Sequence, residues 1–335
     1  MSDDLLICGP NWLGDCIMSM PAVQALRRRR PRAGIVMVSK ERVLALWRMH
    51  AAVDRVIELK AGAPGLLRAA REVREGRVGS AVLFPNSLRS ALVPFLAGVP
   101  ERRGSRGHMR RWLLTRVTDT TPVAGREHQL WEYMLLAGCD GEHDAEEPRL
   151  TVPDSALARA HARIRDAGDR ALVAVIPGAA RGPSKQWQAR HFAEAGRRLV
   201  SATGCRILVL GTRAETELCG RVAAAVGPAA ENLAGETGIE DLAAVLSLCR
   251  VALTNDSGGM HLATAVGTRV VSVFGRTDPR RTGPIGSGHS VIGPEDAGHR
   301  SRDIPRTSRE AAAALDSIAP GRVFAAACRV LDASR

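Results

Sequence analysis

Residues 251–274 read VALTNDSGGMHLATAVGTRVVSVF, and this stretch indicates the fold class. An apolar run ends at Thr254 and is followed by a turn rich in Asp, Ser and Gly. A helix of small residues is predicted over about 260–266, with Gly267 as its C-terminal stop. A second β-branched run at 269–274 completes a strand–turn–helix–strand unit, which is typical of a parallel sheet.

The turn in this stretch has the composition of an anion site. Gly258 and Gly259 allow backbone N–H groups to approach a ligand at the helix start, where the helix dipole favours negative charge. Asp256, Ser257 and His261 flank the same point. We therefore expect a phosphate or diphosphate here. The alternative is that Asp-Ser-Gly only caps the helix and that the histidine is a satisfied core group.

The length and composition of the chain predict two globular domains. The chain has 335 residues, of which 45% are hydrophobic and 24% charged. A polar, Pro-containing segment at 140–153 predicts a boundary, with domains at 1–150 and 151–335. Seven scattered cysteines include no Cys-x-x-Cys pair, which disfavours a disulfide framework and a zinc site. No apolar run suits a signal or a membrane span, so we expect a cytoplasmic protein.

The charge of the chain favours anionic partners. The formal net charge is +12, and only Lys40, Lys60 and Lys185 among the 47 basic residues are lysines. Nucleotides, phosphorylated glycolipids and membrane surfaces are therefore expected partners. Aromatic residues make up only 3% of the chain, so nucleic-acid binding, which relies on aromatic stacking, is not expected.

The first half alternates strands and helices from its start. An apolar strand at 5–8 leads through a turn into a helix at about 16–29, and a second strand follows at 35–38. Asp15 lies where the first strand gives way to the helix. Loops at the carboxyl ends of parallel strands bind ligands, so Asp15 is a candidate functional carboxylate. A helix-capping role for Asp15 is the alternative.

The second half repeats this alternation and lacks two common nucleotide signatures. A strand at 171–176 leads through the turn at 177–187 into a helix, and a strand at 206–210 precedes Glu215. No Gly-x-Gly-x-x-Gly follows a strand, and no P-loop sequence is present, which argues against an NAD site and a P-loop kinase. We predict two open parallel α/β sheets that meet at a cleft.

Residues 102–111, RRGSRGHMRR, form a strongly basic segment interrupted by glycines, and we predict a loop there. Its arginines could bind phosphate groups of a large acceptor. The alternative is a solvated face in a chain that is generally rich in arginine.

Four blocks of the sequence resemble one family. They are NWLGD at 11–15, PGAARGPSKQW at 177–187, TNDSGGMH at 254–261 and FPNSLRSA at 84–91. In their order along the chain they are similar to the ADP-heptose:lipopolysaccharide heptosyltransferases, glycosyltransferase family 9, and most of all to the heptosyltransferase II type. The blocks span most of the chain.

The resemblance implies a GT-B fold, in which two Rossmann-like parallel-sheet domains face a cleft. It implies inverting transfer of L-glycero-D-manno-heptose from ADP-heptose to a phosphorylated Kdo-lipid A or heptosyl acceptor in the lipopolysaccharide inner core, with the second heptose favoured. Neither a metal nor a cofactor is expected. The donor would bind mainly the second domain and the acceptor mainly the first. Peripheral contact with the cytoplasmic face of the inner membrane is a further expectation.

The resemblance also implies roles for individual residues. By position, Asp15 matches the general base and Lys185 a lysine that contacts the diphosphate, and both are assigned as catalytic. The residues implied in donor binding are Gly14, Pro177, Gly178, Lys185, Glu215, Asp256, Ser257, Gly258, Gly259 and His261. The residues expected to bind the acceptor are Asn86, Ser87, Arg89, Arg103, Arg106 and Arg110.

One departure from the family and two alternatives remain. Proteins of the heptosyltransferase II type often carry several cysteines before the last helix, whereas 290–308 contains none and is predicted to be a polar loop. The last helix, about 320–332, is expected to pack back onto the first domain. The alternatives are a transferase with another sugar or acceptor, and a non-catalytic protein that binds nucleotide sugars or anionic glycans. Asp15 together with Lys185 disfavours the second, because binding alone requires no base.

Overall fold

The computed structural model describes residues 3–107, 109–141, 144–164, 168–296, 298, 300–301 and 304–333. The chain divides into two compact units, Met1–Thr151 and Val152–Arg335. Each unit is an α/β unit with one parallel sheet, as the alternating pattern of the sequence predicts.

The first unit contains six strands. They are β1 (Leu5–Cys8), β2 (Ile35–Ser39), β3 (Arg55–Glu58), β4 (Ser80–Leu83), β5 (Glu101–Ser105) and β6 (Arg116–Thr118). Its helices are α1 (Leu13–Arg29), α2 (Leu44–Arg48), α3 (Gly62–Glu75), α4 (Leu88–Leu96) and α5 (Leu130–Ala137). The strands lie in the order β3-β2-β1-β4-β5-β6 and every pair is parallel.

The second unit also contains six strands. They are β7 (Leu172–Ile176), β8 (Arg206–Val209), β9 (Ala230–Asn232), β10 (Val251–Asn255), β11 (Arg269–Val273) and β12 (Ser290–Ile292). Its helices are α6 (Asp154–Arg163), α7 (Ala189–Thr203), α8 (Thr216–Val226), α9 (Ile239–Ser247), α10 (Gly258–Ala265), α11 (Pro279–Thr282), α12 (Arg309–Asp316) and α13 (Pro320–Asp332). Their order is β12-β11-β10-β7-β8-β9, again parallel throughout.

The two sheets have equivalent strand orders. Counting from the first strand of each unit, both follow the Rossmann order 3-2-1-4-5-6. The connections reverse direction between β1 and β4 in one sheet and between β7 and β10 in the other. The crevice outside the carboxyl ends of such a pair of strands is the usual ligand site, and we call each pair a switch point.

The central strands are apolar because helices cover both faces of each sheet. All four residues of β1 and all five of β10 are buried. A strand buried on both faces tends to be a continuous hydrophobic run rather than an alternating one, as LLIC at 5–8 and VAL at 251–253 show in the sequence.

The last helix uses its apolar face within the second unit. Along α13, Val323, Ala326, Ala327 and Val330 recur at helical spacing and join the core that includes α7 and the central strands. We expected this helix to pack back onto the first domain. Its buried side chains join the core of the second unit.

Four predicted boundaries were wrong. The helix after β1 begins at Leu13 and α10 begins at Gly258, in both cases earlier than predicted. The basic segment is not wholly a loop, because Glu101–Ser105 is strand β5. The predicted loop at 290–308 begins with strand β12, and residues 297, 299, 302 and 303 lie outside the described residues.

Candidate active site

The switch point of the first sheet carries Asp15. This residue lies in the first turn of α1, directly after the carboxyl end of β1. The N-cap position of the helix is Trp12, which forms no side-chain cap bond. Asp15 is therefore inside the helix rather than at its cap position, and the capping alternative is wrong.

A buried amide holds the carboxylate of Asp15. Gln129 Nε2 donates to Asp15 Oδ1 at 3.0 Å and to Tyr133 Oη at 2.9 Å. Gln129 and Tyr133 are both buried and belong to the segment around α5, which packs against α1. Burial, and then the negative charge of Asp15, raises the pKa of Tyr133 well above its ordinary value. The phenol therefore stays neutral at physiological pH. Sequence reasoning gave neither Gln129 nor Tyr133 a role.

Two of the predicted acceptor residues lie at the same switch point. Asn86 and Ser87 follow β4, the strand that pairs with β1, and both are exposed. Ser87 is the N-cap of α4, and its hydroxyl accepts a hydrogen bond from Ser90 N at 3.3 Å. The structure therefore brings these two residues to the same edge of the sheet as Asp15.

The predicted arginines are more scattered. Arg89 donates to the carbonyls of Lys60 and Gly62, at 2.6 and 2.8 Å, and so fixes the segment before α3. Arg103 lies against Gly138, at the C-terminal end of α5. Arg29, in the last turn of α1, contacts the same glycine, so Arg103 lies near the opposite end of α1 from Asp15.

The prediction that Arg110 binds an acceptor was wrong. Arg110 is fully buried, and its guanidinium donates to the carbonyls of Ser105 and Pro85 and to the hydroxyl of Ser90. Burial lowers the pKa of this arginine. Its role is to hold the 105–110 segment against the start of α4. Arg106 is exposed in that segment.

The switch point of the second sheet carries an ion pair. Lys185 Nζ lies 2.5 Å from Asp256 Oδ2, and the two side chains are only 12% and 7% exposed. Lys185 ends a short 3-10 turn after β7, and Asp256 directly follows β10. An ammonium group has three N–H donors, so this pairing leaves others for a phosphate oxygen.

The pair lies close in sequence to the N-terminus of α10. Ser257 is the N-cap in an extended conformation, and its side chain forms no cap bond. The hydroxyls of Ser257 and Ser184 are both buried and have no hydrogen-bond partner within the described part of the chain. Buried hydroxyls without partners are rare in proteins and call for a ligand or water. His261 is buried within α10.

Gly259 allows α10 to begin close to the sheet. A Cβ at this position would lie 2.9 Å from Ile176 Cδ1, at the end of β7. A residue larger than glycine would therefore force either the Ile176 side chain or the helix N-terminus to shift. This close packing is the physical reason for a glycine at this position.

Asn255, which sequence reasoning left without a role, fixes the loop that carries Lys185. Its Nδ2 donates to Pro177 O at 2.7 Å, and its Oδ1 accepts from Trp187 N at 2.9 Å. This one buried side chain thus holds both ends of the 177–187 loop. Asn255 lies within the quoted TNDSGGMH block, but its long-range partners are not visible in the sequence.

Glu215 lies at the same edge of the sheet, after β8. It accepts hydrogen bonds from Thr212 N and Oγ1, each at 2.8 Å, in a capping box. Its carboxylate rests against Gly178, where a Cβ would overlap with it. The structure therefore brings the carboxylate of Glu215 next to Gly178.

No group of three His, Cys, Asp or Glu side chains that could hold a metal ion occurs among the described residues. None of the helices in those ranges is long and apolar enough to cross a lipid bilayer.

Comparison with known proteins gives one consistent family. Residues 66–310 match the model of glycosyltransferase family 9 (heptosyltransferase). The chain is 31% identical over 304 residues to lipopolysaccharide heptosyltransferase 2 of Salmonella typhimurium, covering 86% of this chain and 87% of that protein. The corresponding protein of Escherichia coli is 30% identical over the same shares of the two chains.

Solved structures of similar proteins show the same fold. The E. coli ADP-heptose lps heptosyltransferase II superposes with a TM-score of 0.85 and 27% identity, covering 98% of this chain and 99% of that one. A glycosyltransferase family 9 structure from Veillonella parvula also gives a TM-score of 0.85, at 20% identity. With the two Rossmann-type sheets, these similarities confirm the predicted α/β fold of the GT-B class. The chain is an enzyme and belongs to glycosyltransferase family 9, the heptosyltransferases.

Proposed function

We propose that the protein transfers L-glycero-D-manno-heptose from ADP-heptose to the inner core of lipopolysaccharide, with the second heptose favoured. The names of the relatives from Salmonella typhimurium and E. coli support this substrate class. The observation that carries the proposal is the chemistry of the second switch point. There, Lys185 and the N-terminus of α10 offer positive charge beside two buried hydroxyls. This combination suits the diphosphate of a nucleotide sugar.

The proposed reaction is a single displacement. The Asp15 carboxylate takes the proton of an acceptor hydroxyl as its oxygen bonds to the anomeric carbon. The bond from that carbon to the ADP oxygen breaks on the opposite face, so the configuration inverts. The transition state has oxocarbenium character, by analogy with glycoside hydrolysis.

The leaving diphosphate gains negative charge as the bond breaks. We assign its stabilisation to Lys185 and to the backbone N–H groups at Ser257–Gly259, which are already held in place before the reaction. Because these groups can serve the leaving diphosphate, we propose that transfer needs no metal ion. Pro177, Gly178, Glu215, Asp256 and His261 complete the proposed donor site.

The proposed acceptor is a phosphorylated Kdo-lipid A or heptosyl glycolipid, bound mainly by the first unit. Asn86, Ser87 and Arg106 are the predicted acceptor residues that the structure leaves exposed. A lipid-linked acceptor requires the enzyme to work at a membrane surface. We therefore also propose that it acts in the cytoplasm at the inner face of that membrane.

Two experiments test the proposal. The first is calorimetric titration with ADP, UDP and GDP in the presence of EDTA, in which we expect selective binding of ADP. Preference for UDP or GDP would favour a transferase with another donor. The second is turnover of ADP-heptose with Kdo-lipid A and with its mono-heptosylated form, measured by ADP release and product mass. Nucleotide binding without transfer to either acceptor would favour the non-catalytic alternative.

A further inference from the structure

Large apolar side chains are exposed unevenly over the molecule. Within the described ranges, the exposed ones are Trp12, Leu67, Leu88, Phe95, Met109, Trp112, Val117, Val123 and Val291. All but Val291 belong to the first unit. Leu88 and Phe95 lie on the exposed side of α4, seven residues apart, which is two helical turns.

Aromatic packing joins the exposed side of α4 to the segment at 109–112, so that the two form one surface. The ring of Trp112 contacts that of Phe95 edge-to-face, with centroids 5.8 Å apart, and the Arg102 guanidinium lies 5.6 Å above Phe95. Trp112 is 67% exposed and Met109 is 73% exposed, with Met109 in the left-handed backbone region. The hydrogen bonds of Arg110 tie this segment to the start of α4. We call Leu88, Phe95, Met109, Trp112 and the neighbouring Arg111 the α4 patch.

The charge around the α4 patch is almost entirely positive. Residues 85–118 contain seven arginines and a single acidic residue, Glu101. None of the seven forms an ion pair with an acid of the described part of the chain. Elsewhere in the same unit, arginines such as Arg27, Arg68 and Arg71 are each paired with a carboxylate. Three of the seven, Arg106, Arg111 and Arg116, are exposed and therefore carry charge that the protein itself does not neutralise. Arg110 is buried, and Arg89 and Arg102 donate to backbone carbonyls.

We propose that the α4 patch docks the enzyme on a bilayer that contains anionic phospholipids. Protruding Trp, Phe, Met and Leu side chains insert at the boundary of headgroups and acyl chains, and unpaired arginines meet the lipid phosphates. Protruding apolar side chains together with positive charge fit a lipid surface better than a protein interface, because a protein partner would need a matching acidic face. The catalytic benefit of docking rests on the proposed function, whereas the vesicle-binding test of docking does not.

The position of the patch gives docking a catalytic use. Leu88, a member of the α4 patch, directly follows Asn86 and Ser87 in the sequence. Those two residues lie at the same switch point as Asp15. Docking through α4 would therefore place the edge of the first sheet that carries Asp15 near the headgroup region. A lipid-linked acceptor could then reach the base without leaving the membrane.

The first test is sedimentation of the full-length protein with vesicles of phosphatidylcholine, with and without phosphatidylglycerol. We expect binding to the anionic vesicles that weakens as salt is raised. The double substitution Met109→Ser/Trp112→Ser should lower the vesicle–water partition coefficient roughly tenfold, because it removes two apolar side chains that insert into the membrane. Arg111→Glu should lower it by a similar factor on anionic vesicles.

Two matched controls separate the patch from general properties of the chain. Arg221→Glu makes the same change in net charge on α8, and Val291→Ser removes an exposed apolar side chain from the second unit. Both should bind vesicles as the wild-type protein does. Equal losses in Arg221→Glu and Arg111→Glu would mean that net charge alone drives binding, and would overturn the proposal. Binding by Met109→Ser/Trp112→Ser that matches the wild type would also overturn it, as would patch-dependent self-association in sedimentation velocity without vesicle binding.

A turnover assay separates this inference from the proposed function. Met109→Ser/Trp112→Ser should retain the wild-type rate on a water-soluble acceptor without acyl chains and lose rate on the same acceptor embedded in vesicles. Wild-type protein that binds vesicles through the patch but transfers no heptose would refute the proposed function and leave the docking surface standing. Equal rate losses on both acceptors would show that the substitutions act on the active site, against docking.

Discussion

The two sheets share one strand order but differ in what they carry at the switch point. In the first sheet, a carboxylate is held by a neutral amide, which in turn contacts a neutral phenol. In the second, a lysine and an aspartate form a buried ion pair near a helix N-terminus. The same backbone topology thus presents a carboxylate held by an amide at one switch point and an ion pair at the other.

The difference shows how one fold can be used twice in a chain. In the proposed reaction the base must keep a proton-accepting carboxylate, and the neutral amide of Gln129 orients that of Asp15 without adding charge. An anion site needs positive charge and N–H donors, and Lys185 with α10 supplies both. Function here follows from the side chains that the first turn after each strand presents, because the strand order is the same.

The largest expected effect is on the first switch point. Asp15→Asn keeps the side-chain volume but removes the base, so we expect kcat to fall about 10²–10⁴-fold while ADP affinity stays unchanged. Steady-state kinetics with ADP-heptose and calorimetry with ADP measure the two quantities. Asp140→Asn, an exposed substitution of the same kind, should change neither. Turnover that survives Asp15→Asn would show that another group accepts the proton.

The next effect is on the second switch point. Lys185→Ala should lower kcat about 10²-fold, because one donor to the leaving diphosphate is lost, and should also weaken ADP binding. Calorimetry and single-turnover kinetics test both effects. Lys60→Ala, at a lysine that is 57% exposed, is the matched control and should behave as the wild type. An unchanged ADP affinity in Lys185→Ala would remove this residue from the diphosphate site.

A smaller effect is expected at Gln129, which touches Asp15 but no predicted substrate group. Gln129→Leu removes the donor to Asp15, so we expect kcat to fall about tenfold with ADP affinity unchanged. The control is Gln24→Leu, a substitution within α1 that loses hydrogen bonds to Glu147 O and Arg149 N away from the site. If both variants lose the same activity, Gln129 contributes only to stability.

Tyr133→Phe makes the pH dependence of this site testable. Because burial and Asp15 raise the pKa of Tyr133, the phenol stays protonated well above pH 10 and does not titrate in the range of an activity assay. The profile of kcat between about pH 6 and 9 should therefore keep its shape in Tyr133→Phe, with only a small drop in rate. A basic limb that disappears in this variant would show that Tyr133 titrates in the active enzyme.

The sequence was sufficient to predict the two α/β domains and the loops that carry Asp15, Lys185 and Asp256. Strand–turn–helix alternation is local, and parallel sheets present such loops at one edge. The partners of these residues could not be predicted in the same way. Gln129 reaches Asp15 from 114 residues away, and that contact exists only once α1 and α5 have packed.

Arg110 shows the opposite error. In the sequence it belongs to a Gly-broken basic run, which is typical of a solvated loop. In the structure, carbonyls of Pro85 and Ser105 converge on its guanidinium and make burial of the charge tolerable. No local pattern encodes that convergence, so sequence alone could not separate Arg110 from the exposed Arg106.

The smallest expected effect concerns Glu215, at the second switch point. Gly178→Ala should displace the Glu215 carboxylate, because the new Cβ occupies its place and the side chain is the part that can move. We expect a stability loss of about 1 kcal/mol as the capping box with Thr212 weakens. ADP affinity should fall a few-fold if that carboxylate contacts the donor, and Glu215→Gln should reproduce the loss. Gly238→Ala, where a Cβ meets open space, is the control. If calorimetry shows wild-type ADP affinity in Gly178→Ala while the melting temperature drops, Glu215 serves only as a helix cap, and the second switch point binds its anion through Lys185 and α10 alone.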